Sequence, residues 1–313
     1  MHICSIEVDG WRVAFKSSRD LTPAFLRLAE TPAFLGFGIF PQMSIGEYKI
    51  YYEESSNEVA IKYSPKTAVI RAPWHSIQEG ETLLYAAFPF IELQRQQHGF
   101  VTVHSAAVSI NSRAILILGK EGSGKTITAL GLCRAYGAQL IGNDLVIIGS
   151  KNQEDRIVTH SGTKFLSLRY ESISRNMPDL LHLFPERDED PWLRKVIVHP
   201  PKANIDLCLE ETPLCGTFMV HVDETKDGLF IKSADTLVTR LYLNENFSRY
   251  IRGTCIALLG EKLQYLGYVP SFDSEALFAK RTKLMGRLIT EYSMKFVSGP
   301  LEQVVKYIAS QCS

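Results

Sequence analysis

The 313-residue chain has no excess of either charge: 34 Lys plus Arg stand against 34 Asp plus Glu, a formal net charge of zero. A general DNA binder carries a basic surplus, so nucleic acid is not an expected partner, although the balance leaves room for a local basic patch. There is no run of about 18 apolar residues, the length a membrane-spanning helix needs. The start, Met1-His2-Ile3-Cys4-Ser5-Ile6-Glu7, lacks the basic and apolar stretches of a secretory leader. None of the six cysteines, Cys4, Cys133, Cys208, Cys215, Cys255 and Cys312, forms a Cys-x-x-Cys pair or has a His at zinc-ligand spacing. Most lie among apolar residues, so they read as free thiols in a reducing compartment. Internal repeats, low-complexity stretches and long linkers are also missing. The expectation is a cytoplasmic globular protein with no membrane partner, for which a homo-oligomer stays open.

What is present is an ordinary globular composition, 45% apolar and 22% charged, with room for one large domain or two modest ones. Residues 1–75 are β-rich. Gly46 to Tyr52 and Glu58 to Tyr63 read as strands, and the polar stretch Glu53 to Asn57 suits a hairpin loop between them. Over residues 80–98 an apolar stripe of Leu83, Leu84, Ala87, Phe88, Ile91 and Leu93 predicts a helix that packs on a core. Further on, Leu214 to Val222 reads as a strand, and Ser274 to Tyr292 and Leu301 to Gln311 as helices, with Gly299-Pro300 breaking the chain between them.

The strongest signal is Gly119-Lys120-Glu121-Gly122-Ser123-Gly124-Lys125-Thr126, which fits Gly-x-x-x-x-Gly-Lys-[Ser/Thr]. The apolar run Ala114 to Leu118 precedes it as a buried strand, and Thr126 to Tyr136 follows as a helix that Gly137 stops. Strand, loop and helix in that order are what a phosphate cradle needs. Glycines let successive backbone N–H groups turn inward, and the helix N-terminus adds partial positive charge. Lys125 would reach the β- and γ-phosphates and the Thr126 hydroxyl would ligate Mg²⁺. No Asn-Lys-x-Asp guanine signature is present, which favours ATP over GTP.

Two further elements are expected beside this loop. Val101 to Ile110 reads as one strand and Asn111-Ser112 as a two-residue turn into the next. Counting back from that turn places His104 opposite Gly119; a three-residue turn would place it opposite Lys120. Ala138 to Ile148 reads as the following strand, expected to lie beside the phosphate-loop strand because the helix between is short. Its polar Asn143-Asp144 interrupts an apolar run, and a buried carboxylate there needs a partner or a metal, which makes Asp144 a candidate magnesium ligand together with Thr126.

The succession His104-Ser105-Ala106-Ala107-Val108, the phosphate loop, and Gly142-Asn143-Asp144-Leu145-Val146 resembles the catalytic domain of HPr kinase/phosphorylase and its relatives, including kinases of lasso-peptide pathways. That domain shares its fold with phosphoenolpyruvate carboxykinase. The resemblance covers residues 100–150, about one sixth of the chain; elsewhere only Arg194-Lys195, followed by the apolar strand at Leu214, fits the layout. It implies the phosphate and magnesium roles for Lys125 and Thr126, an active-site position for His104, and the metal-side carboxylate for Asp144. Arg194 or Lys195 would neutralise the transferring phosphate. Asn143 stands where the family has the aspartate thought to deprotonate the acceptor. An amide cannot be a base, so His104 or Asp144 takes the proton, or positioning alone suffices for a loose transition state.

The expected fold is therefore α/β: an HPr-kinase-like, phosphoenolpyruvate carboxykinase-like phosphate-loop domain with a mixed sheet over 100–313, preceded by a smaller β-rich α+β domain over 1–99 that recognises the acceptor. The expected activity is ATP- and Mg²⁺-dependent transfer of the γ-phosphate to a hydroxyl of a peptide or protein Ser, or of a small metabolite. The alternative is a nucleotide hydrolase or nucleotide-sensing switch with no phosphoacceptor.

Overall fold

Two short runs open the chain, His2–Val8 (β1) and Trp11–Ser17 (β2), rich in β-branched and aromatic residues. Asp9-Gly10 between them has positive φ at both positions, 54° and 89°, and closes a two-residue hairpin with Val8 opposite Trp11. In the computed structural model, which describes residues 1–29, 37–41, 47–56, 60–78, 80–150, 155–186, 190, 193–253, 258–259 and 265–312, this hairpin begins a six-stranded sheet. The other elements here are Thr22–Ala29 (α1), Phe37–Pro41 (β3), Lys49–Glu54 (β4), Ala60–Tyr63 (β5), Thr67–Ala72 (β6) and Glu81–Gln97 (α2).

The strand order is β3-β1-β2-β4-β6-β5, with β2, β4 and β6 mutually parallel. The expected hairpin of β4 on β5 is thereby corrected: β6 inserts between them, Ile50 opposite Ala68 on one side and Ile61 opposite Ile70 on the other. Burial explains the order. Ala68, Ile70 and Ala72 of β6 are fully buried and claim an interior position, whereas β5, with exposed Lys62, takes the edge. Gly46, Glu58 and Val59 of the two expected strands lie outside the described residues. The predicted stripe of α2 supplies Leu83, Ala87 and Ile91, which with Phe90 share a core with Phe15, Phe25, Ile50 and Ile70. Each of the leucine, isoleucine and phenylalanine side chains contributes about 1.5–3 kcal/mol by leaving water. Phe88 stands half-buried, its ring 5.3 Å from that of Tyr250.

From residue 100 the chain builds a mixed sheet. Its elements are Phe100–His104 (β7), Ala106–Ile110 (β8), Arg113–Leu118 (β9), Lys125–Tyr136 (α3), Gln139–Gly142 (β10), Leu145–Gly149 (β11), Val158–Gly162 (β12), Leu166–Arg169 (β13), Tyr170–Asn176 (α4), Lys195–Val198 (β14), Thr212–Val222 (β15), Phe230–Ser233 (β16) and Leu237–Ser248 (α5). The order β10-β8-β9-β15-β12-β11-β7 puts the parallel strand β15 against β9. The turn at Asn111-Ser112 is the expected two-residue one, with φ 50° and 58° and Ile110 opposite Arg113.

Two expected strands break, and the breaks meet. Val101 to Ile110 divides at Ser105 into β7 and β8; Ala138 to Ile148 divides at Asn143-Asp144 into β10 and β11. The Ser105 N–H donates to the Asp144 carbonyl at 3.1 Å, so the strands change neighbours at one shared corner. The expectation that the second strand lies beside the phosphate-loop strand is also corrected: β10 pairs with β8. The tight hairpin already gives that side of β9 to β8, and the long apolar β15 takes the other.

Beyond α5 come Leu258–Leu259 (β17), Tyr265–Gly267 (β18), Glu275–Thr290 (α6), Lys295–Gly299 (β19) and Leu301–Ser310 (α7). β19 extends the second sheet between β15 and β16. The chain divides into two compact units, residues 1–99 with 247–281, and residues 100–246 with 282–313. The sequence reading places 247–281 in the second domain; here Ile251, Val269 and Leu277 belong to the core of the first. Arg281 seals that attachment. Its guanidinium donates to Gln96 Oε1 at 2.6 Å and to both oxygens of Asp273 at 2.8 and 2.7 Å.

The reading of the cysteines as free thiols holds for some and not for others. Cys215 and Cys312 form a disulfide, Cα atoms 6.2 Å apart, which ties the end of α7 to β15. Residues 97 positions apart are brought together only by the packing of the unit. Cys4, Cys133 and Cys208 are free and buried, and burial pushes the Cys4 and Cys133 thiols up to about 12, leaving them unreactive. Cys255 lies outside the described residues. Among the described residues no helix is long and apolar enough to cross a membrane.

Candidate functional site

The loop Gly119 to Thr126 joins β9 to α3, and its shape requires glycine. Gly119 and Gly124 sit at φ 150° and 94°. A Cβ on Gly119 would fall 2.2 Å from Ser123 Oγ, and one on Gly124 would fall 2.6 Å from Val222 Cγ2. The loop is folded back on itself and pressed against β15, whose Val222 N–H donates to the Ser123 carbonyl at 2.9 Å. Lys125, 8% exposed, sends its Nζ to the carbonyls of Gly119 and Lys120 at 3.0 and 3.1 Å. Ser123 Oγ is buried with no partner among the described residues. The loop thus carries a buried Ser123 hydroxyl with no partner among the described residues and the Lys125 ammonium, beside a helix N-terminus, which favours anions.

Thr126, in the first turn of α3, donates its hydroxyl to Asn143 Oδ1 at 2.9 Å. The direct partner of the candidate metal-ligating hydroxyl is therefore the amide of Asn143. Asp144, at φ 68° and 39% exposed, turns the other way, its Oδ1 lying 3.8 Å from His104 Nε2. The two residues lie in the break between β10 and β11, and the left-handed conformation at Asp144 marks where the chain bends away. Asn143 is 1% exposed, so the buried member of the pair is the amide and the carboxylate reaches solvent. His104 pairs with Leu145 across β7 and β11, which is how the imidazole comes to stand beside Asp144. The hairpin count from Asn111-Ser112 is correct in register as far as Ala106 opposite Ile117. The break at Ser105 then hands His104 to the neighbouring ladder.

Of the expected phosphate-neutralising pair, Arg194 lies over the ring of Tyr170, 4.5 Å from its centroid, and donates to the Pro185 carbonyl. Lys195 is exposed and stands opposite Arg169 across the β13–β14 ladder. Arg169 itself is the cation of these strands that reaches the loop, 3.7 Å from Glu121 Oε1. Its signal in the sequence is the alternation Leu166-Ser167-Leu168-Arg169, which buries both leucines and turns the arginine to the opposite face.

Two further residues escaped sequence reasoning. The Tyr242 hydroxyl donates to the Gly119 carbonyl at 2.8 Å and accepts from the Gly119 N–H at 3.2 Å. Asn246 accepts the His104 N–H on Oδ1 at 2.8 Å and donates Nδ2 to the His104 carbonyl at 3.2 Å. The two residues are one turn apart on α5, and Asn246 Nδ2 also lies 3.3 Å from the Tyr242 hydroxyl. One helix face thereby holds both the mouth of the loop and the strand carrying His104. The only trace in the sequence is a Tyr and an Asn four residues apart.

The two expected magnesium ligands are both oxygen donors, one facing Asn143 and the other His104. Mg²⁺ takes oxygen ligands, keeps several waters and needs few protein groups beyond phosphate oxygens. The Thr126 hydroxyl and the Asp144 carboxylate are the candidates here. Among the described residues no group of three or more His, Cys, Asp or Glu side chains is arranged as a metal cage.

No known protein family's profile matches the chain, and no curated protein does. Among solved structures, the HPr(Ser) kinase/phosphatase from Coxiella burnetii aligns over 42% of this chain and 77% of its own, at 14% identity and a TM-score of 0.23. A likeness at that score carries no argument about mechanism, and the functional reading rests on the site.

Proposed function

We propose that the protein is an ATP- and magnesium-dependent phosphotransferase that moves the γ-phosphate to a hydroxyl of a peptide or protein Ser, or of a small metabolite. The observation that carries this reading is the loop Gly119–Thr126, glycine-shaped at both ends, with Lys125 and Thr126 at its helix end and Asn143, Asp144 and His104 gathered at the neighbouring corner. Lys125 exchanges its two carbonyl contacts for the β- and γ-phosphate oxygens. Charge-assisted hydrogen bonds of that kind are stronger than the neutral ones given up. Thr126 and Asp144 are the residues for magnesium, which neutralises charge on the phosphates. Asp144 and His104 are the groups able to take the acceptor's proton, since the Asn143 amide cannot. Arg169, 3.7 Å from Glu121, is a further cation beside the loop. Recognition of the acceptor is assigned to the first unit.

A second reading, nucleotide hydrolysis or sensing, is favoured by one observation. The buried polar residue touching Thr126 is an amide, so no carboxylate stands there to activate an acceptor. Following γ-labelled ATP with a panel of peptides, nucleosides and amino acids separates the two. Label in an acceptor supports the transferase; label found only as inorganic phosphate across the panel gives the field to the hydrolase.

A further inference from the structure

Asn143 is 1% exposed, and all but one of its hydrogen-bonding groups is occupied. Its N–H donates to the Thr163 carbonyl at 3.0 Å. Its carbonyl accepts from the Leu145 N–H at 3.0 Å and from the Thr163 hydroxyl. Its Oδ1 accepts from Thr126 at 2.9 Å. Nδ2 is buried and has no partner among the described residues. Thr163 and Leu145 hold the backbone of this residue and Thr126 holds its side chain, and the remaining donor is one bond angle away from the oxygen that touches Thr126.

We propose that Asn143 is a bifunctional phosphate-binding residue: Oδ1 accepts the hydrogen bond of the Thr126 hydroxyl so that the hydroxyl's lone pairs face the metal position, and Nδ2 is a hydrogen-bond donor kept for an oxygen of the bound nucleotide's terminal phosphate. This rests on the nucleotide reading above and adds to it a second neutral donor, outside the loop, that recognises phosphate. The chemistry decides between ligand and metal. An amide N–H cannot coordinate a cation and is repelled by one, whereas an anionic phosphate oxygen is its best acceptor. Buried polar groups are almost always paired, so a rigidly held exception beside a phosphate loop is satisfied when a ligand supplies the acceptor. An aspartate in this position would offer two acceptors and a negative charge to the same phosphates, and would bind them only through a metal.

The test is the affinity for ATP of wild type, Asn143→Asp and Asn143→Ala, measured calorimetrically with excess EDTA and again with excess Mg²⁺. Thermal unfolding of each nucleotide-free variant checks the fold. Asn143→Asp is expected to weaken metal-free ATP binding by about 10–100-fold, the loss of one hydrogen bond to a charged group, and to recover part of it with Mg²⁺. Asn143→Ala, which adds no charge, is expected to lose about tenfold in both conditions with no such recovery, and it carries the test if the aspartate variant does not fold. Metal-free affinity unchanged in either folded variant overturns the proposal while leaving the loop assignment standing. Failure of the wild type to bind ATP in both conditions overturns the nucleotide reading itself.

Discussion

Asn246 grips the peptide group of His104 from both sides, accepting its N–H at 2.8 Å and donating to its carbonyl at 3.2 Å. This pair of hydrogen bonds from α5 fixes the strand position from which the imidazole meets Asp144. Asn246→Ala removes both of these hydrogen bonds and should cost about 1–3 kcal/mol of stability. It should also lower the rate of transfer more than nucleotide affinity. His104→Ala tests the same imidazole directly: if it is the base, transfer falls by about 10²–10⁴-fold with ATP affinity retained. Parallel rate and binding measurements decide it, and equal losses of rate and affinity in Asn246→Ala would show that the residue supports the loop rather than the histidine.

Tyr242, one turn earlier, holds Gly119 instead. Tyr242→Phe should weaken ATP binding by about 3–10-fold, one neutral hydrogen bond, and leave the dependence of turnover on His104 unaltered. An unchanged dissociation constant would remove Tyr242 from the account of the loop.

Lys125→Ala should abolish tight ATP binding, because the lysine is the charged partner that the loop offers to the β- and γ-phosphates, and should leave the fold intact. Calorimetric titration of the variant measures this, with circular dichroism as the check on folding. Wild-type affinity in the variant would refute the loop's role.

The Cys215–Cys312 disulfide links residues 97 positions apart. Peptide mapping without reductant should recover the two cysteines in one linked fragment. Reduction, or Cys312→Ser, should lower stability by about 2–4 kcal/mol through the greater freedom of the unfolded chain. Unlinked peptides from protein purified without reductant would contradict the pairing.

Asp273 makes the first unit sensitive to acid. Burial by itself raises its pKa, but the hydrogen bonds and charge of Arg281, the bond from Arg252 and the Ser274 N–H outweigh that and hold the carboxyl below its ordinary value. A carboxylate with a lowered folded value stabilises the protein fully above its unfolded value of about 3.9 and ceases to do so as pH falls through the folded one. Asp273→Asn should lower stability near neutral pH by about 2–4 kcal/mol, because Arg281 is left buried with an incomplete partner. The gap between variant and wild type should close as pH falls below that range. A pH-independent difference in denaturant midpoint would assign the loss to packing.

How much of this was legible in the sequence differs from element to element, for physical reasons. The phosphate loop was legible whole, because its conformation is a local matter of glycines, one lysine and a helix start. So were α2, α7 and the Asn111-Ser112 turn, where side-chain periodicity and left-handed backbone are written in adjacent residues. Strand neighbours were not. Which strand flanks β9 depends on which long-range partner fills each side, and a period of two is the same whether β10 or β15 arrives. The contacts of Asn143 with Thr126, His104 with Asp144, and Tyr242 and Asn246 with the loop join residues whose separation in the chain carries no signal. Local backbone chemistry in the sequence determined that a glycine-shaped loop leads into a helix and where it lies. Only the tertiary structure decided which amide, which carboxylate and which helix stand around it, because those positions are set by the bend shared at Ser105 and Asp144 and by the packing of distant strands.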